Sequence, residues 1–375
     1  MRNVTSKQTF DQAKASGNKT ENANRIWQFT SIQMFSETSG WASNNRDVLR
    51  TTDGGFSWQA VTPLVDTGEA FGLIEDFVDA NQAWVAISSR NEEKVHILVF
   101  HTTDGGQTWQ KTELPQGVKN RGPFYWGTIT FADSRQGWLM TVYSQHNCPA
   151  ELFKTIDGGI TWTQIASVYG LVKDNSLPFG GEISFRDPKT GWLVGRLDPS
   201  IQLLYRTQDG GITWQRQKLK LPVGYESGEL SISDSPVFFS TNEGLLTAIY
   251  VPKNGQGNSA TILYTTQDGG QTWQSRTPLQ FQGIVDFTDA YNGWNWQWKT
   301  STKKELYRTS DGGKTWTSIE LDQNLNHFLD QGLDVTELDF INNKIGWALL
   351  ISNDGKPVLL RTADGGDNWS IVYPC

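Results

Sequence analysis

The sequence predicts an all-β fold, a seven-bladed β-propeller with four antiparallel strands per blade. Three observations lead there. A turn motif, Thr-x-Asp-Gly-Gly-x-Thr-Trp, occurs seven times, with its aspartates at Asp53, Asp104, Asp157, Asp209, Asp268, Asp311 and Asp364. A second motif lies upstream of each turn, an apolar run and a polar turn leading into Gly-Trp. Between the two motifs the chain falls into short β-prone runs bounded by Gly, Pro, Asp and Asn, without helical periodicity. A unit recurring at about fifty residues fixes the architecture before any other reading, and four strands in each of seven units is the pattern of a propeller.

In chain order, the first 25 residues are polar and rich in Asn, Lys, Thr and Ser, with no apolar stretch of signal-peptide type. They predict a disordered tail or tether over residues 1–25, ahead of a propeller over 26–375. A polar linker of this kind suits an exported domain, extracellular, periplasmic or tethered to the envelope, whose signal or anchor is absent from this chain. Unit four shows the four runs clearly, at residues 182–186, 192–196, 203–207 and 212–217. The chain opens on strand one of unit one and closes on strand four of unit seven, so ring closure needs no exchanged strand. The segment near Trp27 remains available to add to an edge.

The turn residues have a local explanation. Two glycines supply positive φ where strands three and four are joined. The aspartate accepts backbone N–H groups across the turn, and the flanking hydroxyls add further bonds. The tryptophan folds back and buries its ring beneath the turn. The copies vary little. Unit one has Ser57 for the second Thr, unit seven has Asn368 there, unit two has Ala83 before Trp84, and unit five has Leu245 after Gly244. The two motifs absorb all but four of the seventeen tryptophans.

Composition excludes several classes. A formal charge of −8 argues against a general nucleic-acid binder, and the short basic runs at Lys303-Lys304 and residues 218–220 read as solvated loops. No run of eighteen apolar residues exists, so no transmembrane segment is expected. Cys148 and Cys375 sit in different units and are expected as free thiols, and His146 beside Cys148 lacks the further ligands of a zinc site. No phosphate loop, zinc spacing, calcium loop or nucleophile motif is present, so neither cofactor nor metal is expected.

These turns resemble the Asp-box, or bacterial neuraminidase repeat. The Asp-Gly-Gly-x-Thr-Trp form with an upstream Gly-Trp is most similar to the photosystem II stability and assembly factor family and to bacterial proteins related to it. The resemblance implies a structural role for the seven box aspartates, at the periphery of the blades, and a chaperone-like scaffold role for the whole. Sialidases, xyloglucan-hydrolysing glucanases and sortilin-type receptors share the same turn. The three arginines of a sialidase site have no recognisable counterpart in Arg90, Arg121, Arg196 and Arg216.

Function is expected on the face opposite the box turns, where the loops between strands two and three and the blade connectors gather. Trp126, Tyr225, Trp296 and Trp298 stand outside the repeat motifs and are candidates to stack on a sugar or contact a protein. Glu75, Glu182, Glu229, Asp286 and Glu337 lie near the inner strands, where two facing carboxylates would suffice for glycoside hydrolysis. The residues taken as partner-binding are Trp126, Glu182, Tyr225, Glu229, Trp296 and Trp298, with no catalytic residue assigned. The expectation is a monomeric, non-catalytic scaffold that binds a protein or cell-surface partner. The alternative is a glycoside hydrolase or carbohydrate-binding propeller.

Overall fold

The structure, a computed structural model, describes residues 12–14, 27–44, 46–65, 69–91, 94–115, 124–143, 150–167, 179–198, 201–232, 234–253, 259–279, 282–298 and 303–373. Seven antiparallel sheets follow one another along the chain. Their inner strands begin with Ser31–Met34, Glu69–Phe77, Phe124–Phe131, Phe179–Phe185, Gly228–Ile232, Gly283–Phe287 and Asp334–Phe340. Each sheet is built from one contiguous stretch, four strands in sequential order, as the repeat predicts. Blade five departs slightly, because its inner strand is broken and resumes as Val237–Phe238, both pieces pairing with Gly244–Pro252. Cys148, Cys375 and His146 lie outside the described residues.

Two elements add to the repeat. Residues Gln12–Lys14 pair antiparallel with Thr108–Gln110 on the outer strand of blade two. For these three residues a strand replaces the disordered tail expected over 1–25, because an outer strand leaves main-chain donors and acceptors that another extended segment can satisfy. An α-helix, Gln323–Asp330, fills the connection between blades six and seven. Asp322 caps it by accepting the Leu325 N–H, and its second oxygen accepts the Trp369 N–H at 3.0 Å. Leu325 and Phe328 bury the helix against the core between those blades.

Every box turn is closed by the same bonds. In blade three the Thr155 hydroxyl donates to Asp157 Oδ1 at 2.8 Å and accepts the Gly159 N–H at 2.9 Å. The Asp157 oxygens accept the N–H and hydroxyl of Thr161 at 2.9 and 2.6 Å. In blade seven the Asn368 amide donates to Asp364 at 2.8 Å in place of the hydroxyl, which explains why that copy tolerates the change. Both glycines of each box hold positive φ, between 69° and 98°.

The core lies between blades. The Gly-Trp tryptophan of one blade stacks on an inner-strand phenylalanine of the next, as in Trp138–Phe185 at 3.5 Å, Trp294–Phe340 at 3.6 Å and Trp84–Phe131 at 3.8 Å. Its Nε1 donates to a box carbonyl of that next blade, Trp84 to Gly158, Trp138 to Gly210, Trp294 to Gly365 and Trp347 to Gly54. The glycine before the tryptophan is needed because a methyl group there would lie 2.4 Å from Phe131 in blade three and 2.3 Å from Phe340 in blade seven. Where Ala83 takes that place, Phe77 stands off Trp41 at 5.1 Å. On the opposite face of the tryptophan sits the cross-strand neighbour, Arg50 on Trp41, Lys154 on Trp138, Arg206 on Trp192 and Arg361 on Trp347.

This sandwich is testable. Trp138→Leu is expected to cost about 3 kcal/mol of stability, and Lys154→Thr should cost about 1 kcal/mol with Trp138 present and almost nothing with Leu there. Additive losses in denaturant melts of the four proteins would show that Lys154 acts elsewhere.

Candidate functional site

The inner strand of each blade has a sheet partner on one side and the central channel on the other. Its channel-side donors therefore lack a strand to pair with. Along each inner strand alternate residues face the preceding and the following blade. In blade two Asp76 faces blade three and accepts the Phe131 N–H at 2.6 Å. Asp286 of blade six accepts the Phe340 N–H of blade seven at 2.7 Å. Asp339 of blade seven accepts the Met34 N–H of blade one at 2.5 Å, and Glu337 accepts the Ile32 N–H at 3.0 Å. Glu182 of blade four takes the Ser235 N–H within the break in the blade-five strand. Ser43 of blade one donates to Glu75. These carboxyls supply acceptors that a missing strand would otherwise provide.

Burial pushes Glu75, Asp76, Glu182, Asp286 and Glu337 up to about 7, and Asp339 well above the usual range. Neighbouring carboxylates add to the effect, Glu75 on Asp76, Asp234 on Glu182, and Asp286 on Asp339. Glu182 is nevertheless exposed to solvent. The box aspartates behave oppositely. Hydrogen bonds from their Thr or Asn partners and the turn backbone outweigh partial burial and hold them low, Asp268 and Asp311 at about 2.

A cavity of about 430 Å³ opens among the inner strands of blades one to four. Its lining includes Ser31, Ser43, Asn44, Glu75, Thr128 and Glu182. Among the described residues that line it none is aromatic. Among the described residues no three His, Cys, Asp or Glu side chains are grouped to hold a metal.

The residues singled out in the sequence separate. Trp296 is fully buried in the core between blades six and seven, and the expectation of an exposed stacking ring is corrected there. Its strand, Gly293–Trp298, alternates across an interior sheet, so Trp294 and Trp296 share the buried face. Trp298, at the end of that strand, is half-buried, donates to Asp334 at 3.1 Å and carries Lys304 over its ring. Tyr225 packs edge-on against Tyr250 at 4.8 Å. Glu229 is exposed and pairs loosely with Lys253 at 3.9 Å. The backbone of Trp126 pairs with Val142 at a bulge in blade three. The loop residues 144–149, 254–258 and 299–302 lie outside the described residues.

Sequence reading missed Asp76 and Asp339, although a signal existed. An Asp stands immediately before the strand-ending Phe in blades two, six and seven, at Asp76-Phe77, Asp286-Phe287 and Asp339-Phe340. Val223, in one of the blade connectors expected on that face, is 94% exposed between blades four and five.

Box turns on the rim of seven four-stranded blades define the class, and the chain is an Asp-box β-propeller. Residues 205–216 match the BNR/Asp-box repeat, and residues 46–172 match the Sortilin-Vps10 family, described as sortilin, neurotensin receptor 3. Among individual proteins, it is 25% identical to the photosystem II assembly lipoprotein Ycf48 of Synechococcus sp. (strain CC9902) over 263 residues, covering 65% of this chain and 73% of that one. It is 24% identical over 326 residues to the xyloglucanase Xgh74A of Acetivibrio thermocellus, covering 74% of this chain and 37% of the enzyme. The fold is shared with YCF48 bound to a D1 peptide, at a TM-score of 0.57 and 14% identity with 94% of each chain covered. It is shared also with the GH74 xyloglucanase of Xanthomonas campestris, at a TM-score of 0.58 and 14% identity, covering 98% of this chain and 55% of the enzyme.

The two sets of acids set opposite pH dependences. A channel carboxyl has a folded pKa above its unfolded value of about 4, so its stabilisation is complete below that pH and lost as pH rises through about 7. A box aspartate stabilises above its unfolded value and loses that contribution as pH falls towards about 2. The melting temperature should therefore peak near pH ~4–5 and fall by roughly 5 °C or more by pH ~8. Glu337→Gln with Asp339→Asn keeps the acceptors and should flatten that fall. A melting temperature that climbs between pH 5 and 8 would contradict this.

Proposed function

We propose that this chain is a non-catalytic binding propeller, exported from the cytoplasm, that holds a protein partner on the loop face around the channel mouth. The observation that carries this reading is the engagement of the inner-strand acids. Asp76, Asp286, Glu337 and Asp339 accept backbone N–H groups across blade seams, so they are committed to closing the ring rather than poised for chemistry. The same face displays Val223 beside the half-buried Tyr225, in a connector tightened by Tyr225 N–H to Pro222 O and Gly228 N–H to Tyr225 O. An apolar residue held out by an ordered turn suits protein contact. Trp126, Trp298, Glu182 and Glu229 are the further contacts we assign to this face. The likeness to Ycf48, named an assembly lipoprotein and seen with a peptide bound, supports both partner class and export.

One observation favours the alternative. Glu75 and Glu182 line the same cavity, both raised to about 7, and the chain resembles xyloglucanases. A general acid of that pKa is suited to glycoside cleavage, although among the described residues no aromatic side chain lines the cavity.

The readings part in a paired experiment. On an array of overlapping peptides from envelope proteins, the purified chain should bind a limited set. Val223→Asp with Tyr225→Ala should weaken that binding at least tenfold, whereas Phe56→Asp at the tip of a box turn leaves it unchanged. In parallel, no reducing sugar should be released from xyloglucan or other β-glucans. Hydrolysis that disappears in Glu182→Gln would replace the binding reading with the enzymatic one.

A further inference from the structure

The seam between blades five and six is built without the parts that close the others. Leu245 stands in place of the tryptophan, and Thr265 in place of the side chain that covers it. The carbonyl of Gly312, the blade-six counterpart of Gly54, Gly158, Gly210 and Gly365, therefore receives no indole. Among the described rings, Phe287 keeps an edge contact at 6.0 Å with Trp316 of its own blade and no stacked partner from blade five. Val237 occupies the position that Asp76, Asp286 and Asp339 hold in blades two, six and seven. Blade five thus offers Phe287 no carboxyl, and its N–H turns to Asp286 beside it.

Packing divides the same way. A cluster of buried apolar residues spans each of the other six seams, and among the described residues none spans this one. The inner strand Gly283–Phe287 is half-buried along its whole length, whereas Phe77, Phe131, Phe185 and Phe340 are buried at the place of Phe287. Leu263 beside Gly313 is retained, as Leu306 and Leu359 are beside Gly366 and Gly55, so the missing layer is that of the indole. Polar atoms at this seam are also buried without partners, namely Thr261 Oγ1, Asn295 Oδ1 and Trp316 Nε1. Thr261 alternates with Ile262 and Tyr264, which pack towards blade four, and Asn295 with Trp294 and Trp296, which pack towards blade seven. Both therefore point into the seam. Such atoms are unfavourable while dry, and water admitted between the blades would satisfy them.

From the absent indole layer and the unpartnered polar atoms together, we propose that the ring is a hinged arc whose gate is the box end of the seam between blades five and six. The chain passes from Ser275 to Gly283 at the loop end of that seam. Thr247, Glu305 and Tyr307, further towards the loop end, have partners. The hinge accordingly lies at the loop end, and the box tips swing apart. The channel widens in this way without any blade unfolding. The chain's ends do not set the opening, because the seam between blades seven and one holds Trp347, the Glu337 and Asp339 clamps and the Arg361–Glu37 pair. The gate concerns the ring itself and stands independently of the function proposed above.

The test measures distances between box tips by double electron–electron resonance in the full-length chain, with Cys148→Ser and Cys375→Ser removing the native thiols. Nitroxides are placed across the gate at Gln271→Cys and Lys314→Cys, and across a complete seam at Ile160→Cys and Ile212→Cys, all exposed positions. We expect the distance distribution across blades five and six to be roughly twice as wide as that across blades three and four. Leu245→Trp with Thr265→Arg restores the repeat and should narrow the first to the width of the second. Trp138→Leu with Lys154→Thr gives seam three–four the residues of the gate and should broaden its distribution. Equal widths in the parent, a three–four distribution unmoved by the converse pair, or a gate that stays wide in the folded Leu245→Trp, Thr265→Arg protein would each overturn the proposal.

Discussion

The ring depends on one repeated interaction, a tryptophan gripped between a cation of its own blade and a phenylalanine of the next. Four of these indoles, Trp84, Trp138, Trp294 and Trp347, also donate to the next blade's box carbonyl. Stacking, cation–π attraction and a hydrogen bond thus converge on one side chain at the seam. Each blade is too small to bury its own faces, so the seams are where apolar area is removed from water. The seventh seam keeps the cation and the indole but has Met34 where other seams have the phenylalanine. Trp347 reaches Gly54, Arg361 covers Trp347 and meets Glu37 at 2.9 Å, and among the described residues no strand is shared between blades one and seven.

Blade five shows that cation and indole act together. Leu245 replaces the tryptophan there, and its cross-strand neighbour is Thr265 where Arg50, Lys154, Arg206, Arg308 and Arg361 stand in five other blades and the neutral ring of His101, held low by burial, stacks on Trp84 in blade two. A cation over leucine has no ring quadrupole to meet and would bury charge without return. Within one sequence, the repeat has changed both members at once. Its inner strand is also the one that breaks. Glu182 caps a donor within that break, which places this acid beside Asp234.

The architecture was legible because it is local and repeated. Box turns, glycine–tryptophan pairs and period-two runs each carry their meaning within a dozen residues, so blade number, strand order and contiguous blades follow from reading. Interactions across seams were not legible in the same way. Trp296 stood outside the motifs and suggested a surface ring, yet it lies in the interior because its strand simply continues the alternation begun by Trp294. The clamps at Asp76 and Asp339 depend on which side of an inner strand faces the following blade, a property of the closed ring rather than of any segment. The helix at Gln323–Asp330 escaped for another reason, being a single short element among strands and secured by Asp322, whose cap reaches Trp369 in the next blade.

Acids in the channel pose the sharper question, since burying a carboxyl is unfavourable and a neutral acceptor would seem to serve. The free edge of an inner strand presents donors, and a hydroxyl can satisfy a donor while still needing an acceptor of its own. An ionised carboxyl is acceptor-only, and a protonated one retains accepting capacity, so either state can close the seam. Burial then moves the group towards the protonated form and limits repulsion among Glu75, Asp286, Glu337 and Asp339, which lie near enough to raise one another. The channel acids are thereby the inner counterpart of the box aspartates. One set caps donors at the centre, and the other caps turns at the rim. What remains for recognition is the irregular remainder, the connectors and edges where the repeat lapses.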